Sequence, residues 1–569
     1  MKSIRKSLFT MVLLTGTVCS FAQQKPQKIT FTGAARAQFY ADHFSNVGEA
    51  DTVTTAKTNS GHVMADVGVH IRPNEAMEIQ GMVRVRNDYG GFWGSGVSFD
   101  VRQLYVKGVA GGVVKYQLGD INYKLTPFTL HNNHQEIFDA APVVFRQQMD
   151  VVNYDHFYNA DQSWRQQGAS AEFGLSFAKV IKAMQFRTVG TRLKTTDFGQ
   201  TSDRVLLGLN AEIIQSDAFR FGLNHVVVTD IMGTSRSNQK FVQPVSTATM
   251  DYQRISGNMR YMWHTEAGFS GRSVEGDTLF TARNGKFIHT VLTTKADRWG
   301  LTLSGGWRYV SADFRSIGAQ TKRINYNAEL DASQRIGNDQ HLRPLTLTDM
   351  LRESNVCTMQ LQSALMPISK VYDNITPYGD ATPNRQGFQL HAAREPKDEP
   401  NHLVLDAWLG SETRGEGTTT LRNFQRFQIK WTHSRVIAGR KNTLSLFGRQ
   451  DHTGRAGEGK IPSVDLTTQL ASFGWESEIS DGFQIMLGWM WLQAKGFDFL
   501  SVRSLDEDVL TFQEWNVNTR QQIVAAGLRY TFNEKSFLSV QYQQAYHRTE
   551  ESNSQYGMSQ WMLLYQINF

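Results

Sequence analysis

The sequence predicts an all-β fold, a transmembrane antiparallel up-and-down β-barrel with an even number of strands, about 22 within a range of roughly 16 to 24. Three observations predict this fold. Segments of about ten residues with apolar residues at every second position repeat along the chain, and a tilted membrane strand has this length. The connections between these segments alternate between short and long. The last segment, 561–569, alternates throughout and ends on an aromatic residue.

The composition agrees with many half-apolar strands. Charged residues make up 20% of the chain and aromatic residues 11%, and the mean hydropathy is negative. After residue 22 no stretch approaches the ~18 consecutive apolar residues of a membrane helix. A soluble protein of this length would need several domains, but the sequence contains no Pro/Ser-rich linker that would separate them. One continuous β-architecture explains the absence of such linkers more simply.

The chain starts with features of an export signal. Three basic residues precede an apolar run that is too short to span a bilayer, and a small-x-small cleavage site ends at Ala22. We therefore expect residues 1–22 to be a cleaved signal peptide and residues 23–569 to form a single outer-membrane β-barrel. Cys19 offers a lipoprotein as an alternative, which the bulky Val18 before it disfavours.

Cleavage changes the charge and the cysteine content. The formal net charge of +6 falls to +3, because the signal carries three basic residues and no acidic one. A balance this small does not predict a nucleic-acid partner. Cys357 then remains alone, so no intramolecular disulfide is expected.

The first predicted strand, 29–40, starts close to the cleavage site. No plug domain precedes it, which argues against a TonB-dependent transporter. After this strand, every second connection along the chain is short, as expected when alternate turns face the periplasm. They fall near residues 72–75, 111–112, 179–180, 216–217, 257–258, 296–297, 480–481 and 533–535. From a periplasmic N-terminus, an even number of strands returns the C-terminus to the periplasm, so both termini are expected there.

Two connections, 121–167 and 311–384, are far longer than ordinary loops. A barrel of about 22 strands is wide, and an empty lumen of that width would leak. We expect these two loops to fill or cap it. In the second, a short helix is predicted over 349–353 with Thr346 or Thr348 as its cap.

The strand face opposite the lipid should line the lumen, and its basic residues are the candidates for solute contact. They are Arg84, Arg86, Arg308, Arg426, Lys430 and Arg529. A row of inward cations can favour anionic solutes. Alternatively, these charges pair with inward acids such as Glu212, Glu476 and Glu478 and fill a polar interior, and we favour this interpretation.

Enzymatic interpretations are weaker. His131, His134, Glu136 and Asp139 cluster in the first long loop, but without the period that places metal ligands on one face. Four strand histidines lack a nearby nucleophile in a recognisable motif. They are His225, His264, His289 and His433. We therefore predict that the protein is not an enzyme, with no catalytic residue, cofactor or metal site.

The C-terminal strand is expected to close the barrel. It should pair with both 537–547 and the first strand near Phe31. Its alternate residues should face lipid on one side. They are Trp561, Leu563, Tyr565, Ile567 and Phe569.

The export signal, the junction of Ala22 and Gln23 and the final Phe569 together resemble outer-membrane β-barrel proteins of the Bacteroidota type, a porin-like, uncharacterised family. The stretch 117–120, Gln-Leu-Gly-Asp, is similar to a pattern in several such barrels. The resemblance implies export, insertion by the barrel-assembly machinery and contact with outer-membrane lipid. The leading hypothesis is a porin-like channel for small hydrophilic solutes. The alternative is a non-conducting barrel that scaffolds a surface or secretion complex with a protein partner, and an outer-membrane hydrolase is less favoured.

Overall fold

The computed structural model describes residues 28–46, 56–89, 96–131, 135, 141–156, 165–276, 282–322, 346–352, 365, 367–397, 399–503, 509–550 and 554–569. In this part of the chain it has 22 β-strands and two α-helices. The first eleven strands are β1 (Ile29–Asn46), β2 (Ala56–Asn74), β3 (Met77–Asp88), β4 (Val97–Ala110), β5 (Val114–Ile121), β6 (Gln166–Ser176), β7 (Ala183–Lys194), β8 (Asp203–Ile214), β9 (Phe219–Ile231), β10 (Lys240–Ser256) and β11 (Met259–Glu275). The others are β12 (Arg283–Ala296), β13 (Leu301–Val310), β14 (Arg385–Arg394), β15 (Asn401–Ser411), β16 (Asn423–Ile437), β17 (Arg440–Arg455), β18 (Val464–Ser480), β19 (Phe483–Arg503), β20 (Val509–Asn533), β21 (Ser536–Thr549) and β22 (Ser554–Asn568). The helices are α1 (Val143–His156) and α2 (Leu347–Arg352).

The strands form one closed barrel. Each pairs antiparallel with its neighbours in sequence, and β22 pairs with both β21 and β1. The predicted fold class, even strand number and partners of the last strand are therefore confirmed. At the closing seam, Gly33 and Phe569 exchange two backbone hydrogen bonds of 3.0 Å. The first strand is longer than predicted, since it continues to Asn46.

Every second connection lies at one end of the barrel, here called the short-turn end. Each of these connections has at most six residues, and the eight predicted ones are among them. The sequence analysis did not identify two more, 395–400 and 438–439. The opposite end, here called the long-loop end, carries the longer connections, including the two non-strand segments 122–165 and 311–384. This alternation is the pattern of an up-and-down transmembrane barrel.

An apolar band surrounds the outer face. Outward residues of 483–491, 524–532 and 561–569 are almost all apolar, and strands of this length tilted by roughly 40° span close to the ~25 Å of such a band. The terminal strand shows the alternation, because Trp561 is 55% exposed and Met562 only 1%. Leu563, Tyr565 and Phe569 are also exposed, and Ile567 is half-buried. In the described part of the chain, no helix is long and apolar enough to cross a bilayer.

The described residues of the two non-strand segments pack against the inward faces of the strands in the long-loop half. Helix α1 starts after Pro142, whose carbonyl accepts the first helical hydrogen bonds, from the N–H groups of Phe145 and Arg146 (both 2.9 Å). It contacts α2 and the inward faces of β18, β19 and β20. Phe145, Leu351 and Met486 are completely buried in one apolar core that also reaches β1, β17, β21 and β22. Burial of this apolar surface stabilises the contact of α1 and α2 with the inward faces of these strands.

Helix α2 begins two residues earlier than predicted, at Leu347. Its N-cap is Thr346, whose N–H and hydroxyl donate to Asp349 Oδ2 at 2.8 and 3.0 Å. The carboxylate thus reaches back to the residue that precedes the helix, as in a capping box.

The chain leaves the wall early at the stretch 117–120. Gly119 has φ +95°, and a Cβ there would lie 2.4 Å from the Leu104 carbonyl oxygen. The next residue, Asp120, accepts the Leu104 N–H at 2.6 Å and pairs with Arg165 at 2.6 Å. A side chain therefore takes the place of the next backbone pair, and the β4–β5 ladder ends at Tyr105 and Gly119.

The inward faces differ between the two halves of the barrel. On β16, Phe424 in the long-loop half is buried, whereas Lys430 and Thr432 in the short-turn half are partly exposed. On β18, Leu466 is buried and Glu476 partly exposed. We call the short-turn half of the inward faces of β7–β18 the vestibule. It is polar and open to water, and the long-loop half is packed.

We predict that Gly119→Ala destabilises the barrel by roughly 1–3 kcal/mol, because the positive φ is strained for alanine and the Cβ meets a carbonyl. The measurement is the urea unfolding midpoint of the barrel refolded in detergent. Gly81→Ala is the control, because its Cβ would make only an ordinary 3.8 Å contact. Equal midpoints for the two variants would contradict the role of Gly119.

Candidate functional site in the lumen

The C-terminal end of α1 is held by buried arginines of the wall. Asp155 lies 2.7 Å from Arg36 Nη2 and 3.1 Å from Arg84 Nη1. Burial alone would raise the pKa of Asp155, but the two guanidinium groups outweigh it and hold the pKa below its usual range. Positive charge at a helix C-terminus also complements the helix dipole. These contacts fix the end of α1 to β1 and β3.

Neighbouring groups complete this cluster. Arg84 Nε donates to Asp66 Oδ1 at 2.8 Å, and the Tyr154 hydroxyl donates to Asp66 Oδ2 at 2.6 Å. Arg102 stacks over the Tyr154 ring, with its Cζ 4.2 Å from the ring centroid, and donates to the Tyr154 carbonyl. We call this set the α1 anchor. Its members are Arg36, Asp66, Arg84, Arg102, Tyr154 and Asp155.

A second cluster, the 373 anchor, holds the other inner segment to β16 and β17. Arg426 Nη2 lies 2.7 Å from Asp373 and 2.6 Å from Asp451. Lys322 is ion-paired with Asp373, and both are buried. Arg449 donates to the carbonyl of Tyr372. Burial would raise the pKa of Asp373, but Arg426, Lys322 and Arg449 hold it well below its usual range.

Two further contacts pin the same segment to the wall. Lys370 is ion-paired with Asp498 on β19, which also accepts from Arg422 Nε at 3.1 Å. Arg308 on β13 lies 3.1 Å from Asp380. Residues 367–384 are therefore attached by charged groups to β13, β16, β17 and β19.

The vestibule wall is lined by hydrogen-bonded pairs of mixed charge. His391 Nδ1 lies 2.7 Å from Asp406 Oδ1, and both side chains are more than one-third exposed. His264 lies 2.7 Å from Asp251, and Arg187 lies 2.8 Å from Glu212. Such a surface accommodates water and polar solutes without a strong bias of sign.

A cleft of about 400 Å³ continues this polar surface at the short-turn end of β3–β6. Glu78 is its central acid, 3.1 Å from both Arg72 and Lys107. Lys115 and Glu172 lie 3.6 Å apart beside it and are well exposed. The cleft presents cations and carboxylates side by side.

The predicted lumen-lining residues occupy different environments. Arg84, Arg308 and Arg426 contact acids of the inner segments, as described above. Arg86 pairs with Asp88 at 2.8 Å near the long-loop end. Lys430 is half-buried in the vestibule, and Arg529 lies 4.0 Å from the Phe537 ring centroid.

Sequence reasoning missed the acids that these arginines bind. Asp155 and Asp373 lie in segments without strand periodicity, 119 and 53 residues from Arg36 and Arg426. The inward arginines were the one available signal, since buried guanidinium groups require counter-ions.

The histidines considered for catalysis are dispersed. His225 faces outward, and its Nδ1 lies 2.8 Å from the Ser246 hydroxyl, a neighbour that the sequence did not reveal. His264 and His289 face inward, and His433 bonds with Asn401 at 2.9 Å. Among described residues, no group of three His, Cys, Asp or Glu side chains is placed to hold a metal.

Several predictions concern residues outside the described part. They are the signal peptide 1–22, Cys357, His134, Glu136 and Asp139. His131 is described, and its N–H donates to the Gly318 carbonyl at 2.9 Å.

No protein-family model and no curated protein sequence matches the chain. Solved structures that are similar include the translocation pore of the P pilus usher PapC (8% identity, TM-score 0.36, 94% of this chain and 99% of that chain). Others are Pseudomonas aeruginosa OccK2 (OpdF) (10%, 0.35, 95% and 98%) and Acinetobacter baumannii OccAB1 (9%, 0.33, 95% and 97%). At these TM-scores the likeness carries no argument about what this chain binds or transports.

We predict that Asp155→Ala loosens the C-terminal half of α1 and lowers barrel stability by roughly 3 kcal/mol, because it leaves buried guanidinium charge without its counter-ion. Hydrogen exchange of the α1 amides and the urea midpoint measure the effect. Glu172→Ala is the control, since its exposed pair with Lys115 contributes only about 0–1 kcal/mol. If the hydrogen-exchange rates of the α1 amides did not change, the α1 anchor would not be what attaches this helix to the wall.

The 373 anchor should resist mild acid. Because the pKa of Asp373 is lower in the folded protein than the value of roughly 4 for an unfolded chain, its stabilisation is complete above about pH 4 and is lost as the pH falls through the lowered pKa. We expect protease cleavage within 367–384 to stay constant from pH 8 to pH 5 and to rise only below pH 4. Cleavage that already rises at pH 6 would contradict this assignment.

Proposed function

We propose that this chain is an outer-membrane channel for small hydrophilic solutes whose passage is controlled by the inner segments. The observation that carries the proposal is the polar, water-exposed vestibule. Its half-exposed pairs, such as His391 with Asp406, offer a path to polar solutes from the short-turn end. We further propose that both termini face the periplasm and that the chain is of the Bacteroidota type, as its sequence resemblance implies.

The packed long-loop half supports a channel that is closed at rest. On β17–β22 the inner segments rest on an apolar core, whose separation exposes apolar surface to water. On β13, β16 and β17, residues 367–384 are attached through charged groups such as Arg308 and Arg426, in addition to the smaller apolar clusters that contain Ile375 and Ala381. A passage would therefore open on this second side, where released charges can be hydrated.

A second candidate is a non-conducting barrel that scaffolds a surface or secretion complex. The same apolar core favours it, together with the clusters that contain Leu130 and Phe128, because closely packed side chains make the long-loop half rigid. The long-loop end would then present the binding surface.

Planar-bilayer conductance separates the two. We expect the wild-type barrel to show rare openings and Asp373→Ala to raise the open probability about tenfold or more, because this variant removes the acid through which Arg426 of the wall holds residues 367–384, and it leaves Lys322 of the same inner segment without its counter-ion. The control is Asp217→Ala, which removes an exposed acid that pairs with Lys182 at the short-turn end, away from the inner segments.

Both variants must first migrate as folded barrels in heat-modifiability gels. If the open probability rose equally in the two variants, the 373 anchor would not be what keeps the channel closed. A folded Asp373→Ala barrel without any channel events would favour the scaffold.

A further inference from the structure

The wall is lower at β5 and β6 than beside them. Strand β5 ends at Ile121 and β6 starts at Gln166, which pairs with it. Strand β4 continues past the end of β5 toward the long-loop end, where it pairs with β3 alone. Among the described residues, 97–101 of β4 thus have a strand neighbour on one side only. We call them the open edge of β4.

The side chains of the open edge are exposed. All five of its residues are exposed, and Phe99 has the largest exposed fraction, 71%. Inward Asp100 is also exposed, and no ion pair is formed by it within the described structure. Its register partner Arg84 is directed to Asp66 and Asp155 instead.

The position of the open edge makes it reachable by another protein. Val101 lies about nine residues from the turn at Ala110, which places it roughly 23 Å above that turn when the strand is tilted by ~40°. This height is close to the upper limit of an apolar band of ~25 Å. The open edge therefore emerges at the long-loop surface rather than in the centre of the lipid.

An exposed strand edge with apolar side chains is a template for further pairing, because every second residue directs its N–H and C=O to the open side. Val97, Phe99 and Val101 form an outward apolar row, and Asp100 supplies an inward charge. We propose that this edge docks an extended segment of a partner protein by antiparallel strand addition. The segment has apolar residues at alternate positions and a basic residue opposite Asp100.

A second copy of the barrel fits poorly. Two copies inserted in the same orientation are related by an axis along the membrane normal. Their β4 strands would then run parallel, and a sheet formed between them would place the apolar outward face of one copy beside the inward face of the other. Lipid is also a poor occupant, because acyl chains offer no groups that bond with backbone N–H and C=O.

A synthetic peptide with the sequence of residues 83–88, which covers the length of the open edge, tests the proposal. These residues already pair antiparallel with the other side of β4, with Arg84 in register with Asp100. We expect saturable binding to the folded full-length barrel by fluorescence anisotropy. Two further peptides carry N-methyl groups, one on the backbone nitrogens of the odd positions and the other on those of the even positions. Only one of these two peptides should lose binding, because only one edge of the peptide forms the hydrogen bonds.

Charge reversal supplies a second arm. Asp100→Lys should weaken binding about twofold to fivefold, the range of a cross-strand ion pair, and a peptide with Glu in place of the Arg84 equivalent should restore it. Cross-linking locates the binding site: a version of the peptide that contains a cysteine should form a disulfide with the Phe99→Cys barrel. The disulfide should not form at Phe269→Cys, an equally outward residue of the fully paired β11.

Binding that tolerates both methylated series equally, or cross-linking at Phe269→Cys as efficient as at Phe99→Cys, would mean apolar adsorption and would overturn strand addition. Absence of saturable binding would overturn it as well. The result is independent of conductance, so it stands or fails separately from the proposed channel.

Discussion

Backbone pairing is the constraint on which the rest of this structure depends. Lipid offers nothing to backbone N–H and C=O groups, so a sheet at membrane depth must close on itself. Closure is achieved by β22, which pairs with β1 up to the bonds between Gly33 and Phe569. A ring of 22 strands encloses more space than its own side chains can fill. The inner segments follow from that width.

The inner segments are attached in two chemically different ways. On β17–β22 they bury apolar side chains such as Met486 in a core like that of a soluble domain. On β1–β4 and β13–β19 they place carboxylates among arginines of the wall, with Asp155 and Asp373 as the central acids. Burying these ions is costly unless each charge is matched, and here the partners lie within hydrogen-bond distance. The barrel wall therefore selects a defined position for segments that have little regular structure of their own.

The sequence predicted most of the wall because strand information is local. A period of two shows which side chains face outward and which face inward, as Trp561 and Met562 do respectively, and turn residues mark where the chain reverses. The lumen is different, because its contacts join distant positions. Nothing near Arg36 reveals that its partner is Asp155, and the hydroxyl neighbour of His225 comes from the next strand. The early end of β5 was likewise hidden, since Gly119 and Asp120 act through Leu104 on another strand.

The apolar core beneath α1 imposes an order on assembly. Helix α1 precedes seventeen of the strands in the chain, yet the surfaces that bury Phe145 and Met149 come from β1 and from the strands near the C-terminus. The helix must wait, with its apolar face uncovered, until those strands have been made. The core is also incomplete until β22 joins the ring, because this strand supplies Tyr556 and Met558. Folding of the interior and closure of the seam are thus a single late event, and a chain arrested before β17 would expose α1 to aggregation or proteolysis.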